Sequence, residues 1–216
     1  MYLPASFREE RLDVLHDVMR GNSFATLVTD GGQGPYATHL PILLDATRGH
    51  LGTLRAHVAK ANPHWRLFAS GKPSLAMFEG PHAYISPSWY VSTTGMVPTW
   101  NYVAVHAYGV ARIIEDDNEL QRLLIETVST YESSFSNPWT VEPQTLQNMM
   151  RGVVGFEIPI DRLEGKAKLG QNRTDADRRG AVDALSTSDD PGGAAVAELM
   201  RRALENGGGA GPPGKP

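Results

Sequence analysis

Seven histidines, at positions 16, 39, 50, 57, 64, 82 and 106, are the residues best able to bind a metal or move a proton near neutral pH. None stands in an H-E-x-x-H pair, and no carboxylate cluster accompanies them, which argues against a zinc hydrolase. His57 and His64 lie seven apart and would share a face if both stood on one helix. Between them, however, Asn62-Pro63 is a helix start: Asn caps well, and Pro fits the first helical position. His57 is therefore expected in the loop that leads from a strand into that helix. There, a plain hydrogen-bonding role and a contact to a cofactor phosphate or an iron are both open. Arg55, Lys60 and Arg66 surround the same strand end and helix start. Exposed N–H groups with basic side chains around them suit a terminal phosphate; the alternative is a solvated surface.

The second concentration is aromatic. PSWYVSTTGMVPTWNYVAVHAYG, residues 87–109, holds two Trp, three Tyr and one His. Trp89, Tyr90, Trp100 and Tyr102 either fill the end of a barrel or wall a planar ring such as isoalloxazine. In the second case Ser86, Ser88, Thr99 and Asn101 supply polar atoms to the ring edge. Other chemistries lack their residues. With no cysteine, a disulfide framework, a Cys-zinc site, an Fe–S cluster and a Cys nucleophile are excluded. There is no G-x-S-x-G, no P-loop and no G-x-G-x-x-G. Glu79, Glu157 and Glu164 are isolated in sequence and receive no catalytic role.

The elements that must position these residues read mainly as strands. Residues 7–20 form an amphipathic helix, with Leu12, Leu15, Val18 and Met19 on one face. Strands are expected at 24–29 and 36–45, joined by the turn DGGQG, with Pro41 at a bulge or an edge. A third strand covers 50–56, and a short helix starts at Pro63. Strands 74–80 and 82–86 flank a Gly-Pro turn. A long strand covers 100–115 with Gly109 as a bulge. Helices follow at 118–134 and from Pro143 to near Gly152, then a last strand at 153–160. After residue 172 the texture becomes helical, and NGGGAGPPGKP is expected to be disordered. Hairpin spacing of this kind suggests a small closed antiparallel barrel.

The chain has 216 residues, 41% apolar and 20% charged, which suits one globular domain with or without a tail. A net charge of −4 predicts weak non-specific affinity for nucleic acid. Asp177-Arg178-Arg179 and Arg201-Arg202 read as solvated helix faces. No apolar run is long enough to span a membrane, and the N-terminus does not read as a signal peptide, so a cytoplasmic location is expected.

The segments MYLPASF, THLPILLD, HVAKANPHW, GPHAYISPSWY, VPTWNYVAVHAYG and KLGQNR resemble, in order and spacing, the PaiB-type FMN-binding negative transcriptional regulators. The resemblance covers roughly residues 1–180. It implies a fold that is mainly β with peripheral α helices: the six-stranded antiparallel split β-barrel of the pyridoxamine-phosphate-oxidase relatives. It also implies a homodimer binding FMN and a small-molecule ligand or substrate. The implied organisation is a split-barrel domain over 1–180, a helical extension over 181–205 and a tail over 206–216. Thr38, His39, Arg55, His57, Lys60 and Asn62 are then expected along the flavin and its phosphate. Trp89, Tyr90, Trp100 and Asn101 shape the rim; Lys168, Gln171, Asn172 and Arg173 close the site. The family motif KLSQNR has Gly170 here in place of Ser, so one hydroxyl contact is lost. A branch similar to this family binds heme b and forms N–N bonds, as in piperazate synthesis, with an axial His whose match here is His57. Direct DNA binding is disfavoured by the acidic charge and the lack of a helix-turn-helix signature.

Overall fold

The computed structural model describes residues 1–91 and 93–205. In chain order the elements are β1 (Arg8–Glu9), α1 (Leu12–Gly21), β2 (Phe24–Asp30), β3 (Pro35–Pro41), β4 (Leu43–Asp45), β5 (Thr53–Ala59), β6 (Pro73–Ile85), β7 (Thr99–Val110), β8 (Arg112–Ile113), α2 (Asp117–Glu132), α3 (Pro143–Gly152), β9 (Val153–Pro159), β10 (Arg162–Lys168), α4 (Asp175–Ser186) and α5 (Gly193–Glu205). Short 3-10 turns cover Ala5–Phe7, Pro63–Ser70 and Pro87–Trp89. Contacts divide the chain into two compact units. The first is Met19–Phe78 with His106–Leu163; the second is Met1–Val18 with Glu79–Val105 and the chain from Glu164 onward.

In the first unit, β2 and β3 pair antiparallel from Phe24↔Pro41 to Asp30↔Pro35. The turn between them closes with Gly31 N–H on the Gly34 carbonyl at 2.8 Å and Gly32 N–H on Asp30 Oδ1 at 2.8 Å. Gly32, at φ 80°, occupies the left-handed region that glycine tolerates best. β3 is an edge strand, as its prolines at both ends require. The expected single strand over 36–45 breaks at Ile42, where the chain passes to a second sheet ordered β4-β5-β9-β8. β5 pairs with a neighbour on both sides, and its buried residues run almost continuously. Above that sheet, Leu120, Leu123 and Leu124 of α2 and Leu146 of α3 pack with Leu43 and Ile114. Gly155 lies beneath these side chains: a Cβ there would lie 2.7 Å from Leu120 Cδ1. Gly109 also answers to close packing, since its Cβ would lie 2.1 Å from the Pro159 carbonyl oxygen. The break in the long strand falls at Ala111, after which β8 joins the second sheet.

In the second unit, β1 pairs with β10 through Arg8↔Lys166 and Glu9↔Gly165. β10 lies beyond the strand expected to be last. Its sequence RLEGKAK shows no apolar alternation, so pairing rather than pattern makes it a strand. Ala83, Ile85, Tyr90 and Val103 form one buried cluster with Leu169, α4 and α5. The Gly80-Pro81 pair does not turn the chain: β6 runs on to Ile85, with Gly80 packed against Val103. Asp177 and Arg178, expected on a solvated face, are buried at 5% and 1% exposure. Asp177 accepts the Val91 N–H at 2.9 Å and the Thr174 hydroxyl at 2.8 Å, which ties α4 to the segment after Trp89. Arg201 and Arg202 do lie on an exposed face, both paired with Glu198. The expected disordered tail falls outside the described residues. Among the described residues no helix is long and apolar enough to cross a membrane.

Candidate functional site

The expected site residues fall into two groups, one in each unit. In the first unit, Asn62 caps the 3-10 turn as its sequence predicts, accepting the His64 N–H at 3.0 Å. Its amide also donates to Thr38 Oγ1 at 3.2 Å, so the β3 residue and the cap are held together. Under them lies His64, fully buried, with Nδ1 2.8 Å from Thr38 Oγ1 and Nε2 2.9 Å from Thr29 Oγ1. Thr29 is in turn 2.7 Å from Ser74 Oγ, and both are buried. The His64 ring stands edge-on to Tyr36 at 5.1 Å and beside Phe68 at 5.6 Å. Burial pushes its pKa below that of a free imidazole, because a charged ring here would give up its hydration. Sequence reasoning noticed His64 only for its spacing from His57. Its partners Thr38 and Thr29 lie 26 and 35 residues away in the chain, so no local pattern marked it.

His57 is not in a loop. It lies within β5, because that strand runs on to Ala59 through seven register pairs with β9. It stands opposite Gly155, over which Leu120, Leu123 and Ile114 pack. Burial also pushes its pKa down, and its ring hydrogen-bonds to no described residue. Arg55 shares its face of β5, is nine-tenths buried and pairs with Glu126 of α2, while its Nε has no partner. His39 is exposed and bonds Thr26 Oγ1 at 2.9 Å. Lys60 is exposed, and its carbonyl accepts the Trp65 indole N–H at 3.1 Å.

In the second unit, Trp100 is 51% exposed and forms an edge contact with Tyr84 at 6.1 Å. Lys168 donates to the Thr99 hydroxyl and to the Trp100 carbonyl at 2.8 Å. Arg173 donates to Met96 Sδ at 2.8 Å and sits 5.3 Å from the centre of the Tyr90 ring. Lys166, which sequence reasoning missed, lies 5.2 Å from the Tyr102 ring centre and donates to the Tyr2 carbonyl at 3.0 Å. None of these three cations meets a carboxylate among the described residues. Burial, with the positive charges of Lys166 and Arg173, holds the Lys168 ammonium below its ordinary pKa. An anion would relieve that strain, so the donor set fits a phosphate.

The remaining second-unit residues are structural in their contacts. Asn101 is buried and turns its amide to Met200 Sδ at 3.3 Å, and Tyr90 is buried in the apolar cluster. Trp89 is half-buried, and its carbonyl lies 2.2 Å from where a Cβ on Gly180 would stand. Gln171 folds back, accepting the Leu169 N–H at 2.8 Å and donating to the Ala167 carbonyl at 2.5 Å. Asn172 is exposed. Gly170, at φ 79°, takes a backbone conformation that a serine would strain, which accounts for glycine at this departure from the motif.

Comparison with known proteins follows the same lines. The chain is 38% identical over 208 residues to Protease synthase and sporulation protein PAI 2 of Bacillus subtilis, covering 95% of this chain and 99% of that one. It is 32% identical over 242 residues to protein AN0679 of Emericella nidulans, covering 93% and 96%. Among solved structures it is similar to the conserved hypothetical protein Rv2991 of Mycobacterium tuberculosis, with TM-score 0.58, 18% identity and coverage of 81% and 96%. It is also similar to the FAD and heme binding protein of Mycobacterium smegmatis, with TM-score 0.54, 16% identity and coverage of 76% and 74%. These structures share its fold, the split barrel of antiparallel sheets with added helices. The family model described as "Putative FMN-binding domain" matches residues 1–162. The chain belongs to this FMN-binding, PaiB-type family.

Proposed function

We propose that this chain is an FMN-binding protein whose chemistry is flavin redox, assembled as a homodimer. The family match over residues 1–162 carries the reading. When bound, FMN supplies the electron-transfer chemistry, and the chain's residues supply binding and orientation. Thr38 and Asn62, fixed by His64, offer a hydroxyl and an amide of set direction. Arg55 brings a buried guanidinium with a free Nε. His39, His57 and Lys60 are the other first-unit candidates. Lys168 and Arg173, which meet no carboxylate among the described residues, suit the phosphate. Trp100 offers an exposed aromatic face, while Trp89, Tyr90, Asn101, Gln171 and Asn172 support that group.

The test is titration of the purified chain with FMN, read by quenching of flavin fluorescence. A charge-assisted hydrogen bond contributes about 1.5–3 kcal/mol, so Lys168→Met should weaken binding by about 10- to 100-fold. Binding no tighter than that of free riboflavin, which lacks the phosphate, would sink the assignment of that group.

One observation favours heme as a second reading. Burial shifts His57 toward the neutral ring, and its ring bonds no described residue, so a nitrogen is open to an iron. The related M. smegmatis structure is of a protein described as binding FAD and heme. A Soret band in the purified protein that His57→Ala abolishes would select this reading; a flavin spectrum unchanged in His57→Ala would exclude it. The transcriptional role rests on the family resemblance, and salt-dependent retardation of DNA would be its signature.

A further inference from the structure

The hydrogen bonds under Thr38 form a continuous chain with a polarity choice. Ser74 Oγ, Thr29 Oγ1, His64 Nε2, His64 Nδ1 and Thr38 Oγ1 follow one another at 2.7, 2.9 and 2.8 Å across the three gaps. The inner end is buried: Ser74, Thr29 and His64 are at most 1% exposed. Thr29 and Ser74 also line a cleft of about 300 Å³, together with Asp30, Pro35, Pro73 and Tyr108. Thr38, at the other end, is half-buried on the edge strand.

A neutral imidazole has one donor and one acceptor nitrogen. If Nδ1 carries the proton, it donates to Thr38 Oγ1, which already accepts from the Asn62 amide. The Thr38 O–H is then free to donate outward, and Nε2 accepts from Thr29. If Nε2 carries the proton, it donates to Thr29, Thr38 must donate to Nδ1, and no proton is left for a ligand. The ring tautomer therefore sets whether Thr38 offers a proton.

We propose that Ser74, Thr29, His64 and Thr38 form a proton relay from the cleft to a ligand bound against Thr38, with His64 changing tautomer as each proton passes. The balance is closed. Thr38 gives its hydroxyl proton to the ligand and takes one from His64 Nδ1. Nε2 takes one from Thr29, Thr29 from Ser74, and Ser74 from a water in the cleft, whose hydroxide is neutralised by a proton from bulk solvent. Each O–H and N–H bond broken is matched by one formed, and the net result is one proton moved. His64 acts through Thr38 and is a positioning and relay residue, not a catalytic one. The neutrality imposed on it by burial is what a relay needs, since a doubly protonated ring has no acceptor. The identity of the ligand as FMN rests on the reading above; the relay itself belongs to the chain.

The variants are Thr29→Val, which removes the hydroxyl at constant shape, and Thr29→Ser, which restores it. Nitrogen-15 NMR of the His64 ring in cofactor-free protein near pH 7 is the first readout. The wild type and Thr29→Ser should show a neutral ring averaged between tautomers, and Thr29→Val a ring locked in the Nδ1–H form. A doubly protonated wild-type ring, or the same fixed tautomer in all three proteins, overturns the relay. The second readout is the solvent deuterium isotope effect on reduction of the FMN-loaded protein. Loss of a positioned proton donor typically costs about 10²-fold or more. Reduction should therefore slow at least about 10-fold in Thr29→Val, with FMN affinity within about 3-fold of wild type and recovery in Thr29→Ser. Equal rates in all three proteins overturn it. Should Thr29→Val not fold, Ser74→Ala interrupts the same chain at its cleft end: Thr29 still partners Nε2, so the ring should stay averaged between tautomers while reduction slows as expected for Thr29→Val, and an unchanged rate overturns the relay. Failure of the wild type to bind FMN would strike the cofactor reading alone, and the tautomer measurement would still decide the relay.

Discussion

Replacing His64 by leucine should destabilise the protein by an amount that depends on pH. The variant loses the two ring hydrogen bonds to Thr38 and Thr29. It orphans neither hydroxyl, because Thr38 keeps the Asn62 amide and Thr29 keeps Ser74. Two net hydrogen bonds at about 1 kcal/mol each, with about 1 kcal/mol for the lost ring contacts, give roughly 2–4 kcal/mol near pH 7.5. The pH term follows from the neutral ring. In the unfolded chain a histidine takes up its proton near 6.5, whereas burial holds folded His64 lower. Between those values the unfolded state binds more protons, so wild-type stability falls as pH falls, by up to about 1.4 kcal/mol per pH unit for this group. His57 adds a second contribution of the same sign in both proteins. The leucine variant lacks the His64 contribution, so its deficit should narrow on acidification and level off once the folded ring titrates. Urea denaturation at several pH values between about 7.5 and 5 measures this, provided m is unchanged. A deficit constant across that range, or below about 1 kcal/mol at its upper end, would refute the account of the network.

Other outcomes follow from single contacts. Gly109→Ala would place a methyl 2.1 Å from the Pro159 carbonyl oxygen and should cost about 1–3 kcal/mol or more, seen as a lower urea midpoint. Asp177→Ala removes the acceptor of the Val91 N–H and the Thr174 hydroxyl, and should lower stability by about 2–3 kcal/mol, with Asp177→Asn milder. Trp100→Ala, at an exposed position, should leave the melting temperature within a few degrees of wild type while weakening any ligand that stacks there. A melting temperature that collapses in that variant would show Trp100 to be a packing residue.

The local signals in the sequence were the readable ones. Asn62-Pro63 and Glu142-Pro143 each open a helical turn, because the fixed φ of proline, with the Asn62 cap at the first of them, acts within a few residues. Signals that depend on partners were misread. Gly80-Pro81 has turn chemistry, yet β6 runs through it, and the close approach of Val103 explains the glycine. β10 has no alternation of its own and exists by pairing. His57 looked like a loop residue because the end of β5 is set by its register with β9, which no window around His57 reveals. At the candidate site, Thr38, Asn62, Lys168 and Arg173 were named from a resemblance. The residues that hold Thr38 in place, His64, Thr29 and Ser74, are far apart in sequence and could be found only once the chain was folded.

The glycine at position 155 has a reach beyond packing. It lies under leucine side chains of α2, and α2 carries the Glu126 that neutralises Arg55. A methyl group added on β9 would press on the Leu120 side chain of the helix that carries this carboxylate, so a substitution with no charge of its own would act on the element that holds the counter-charge of β5.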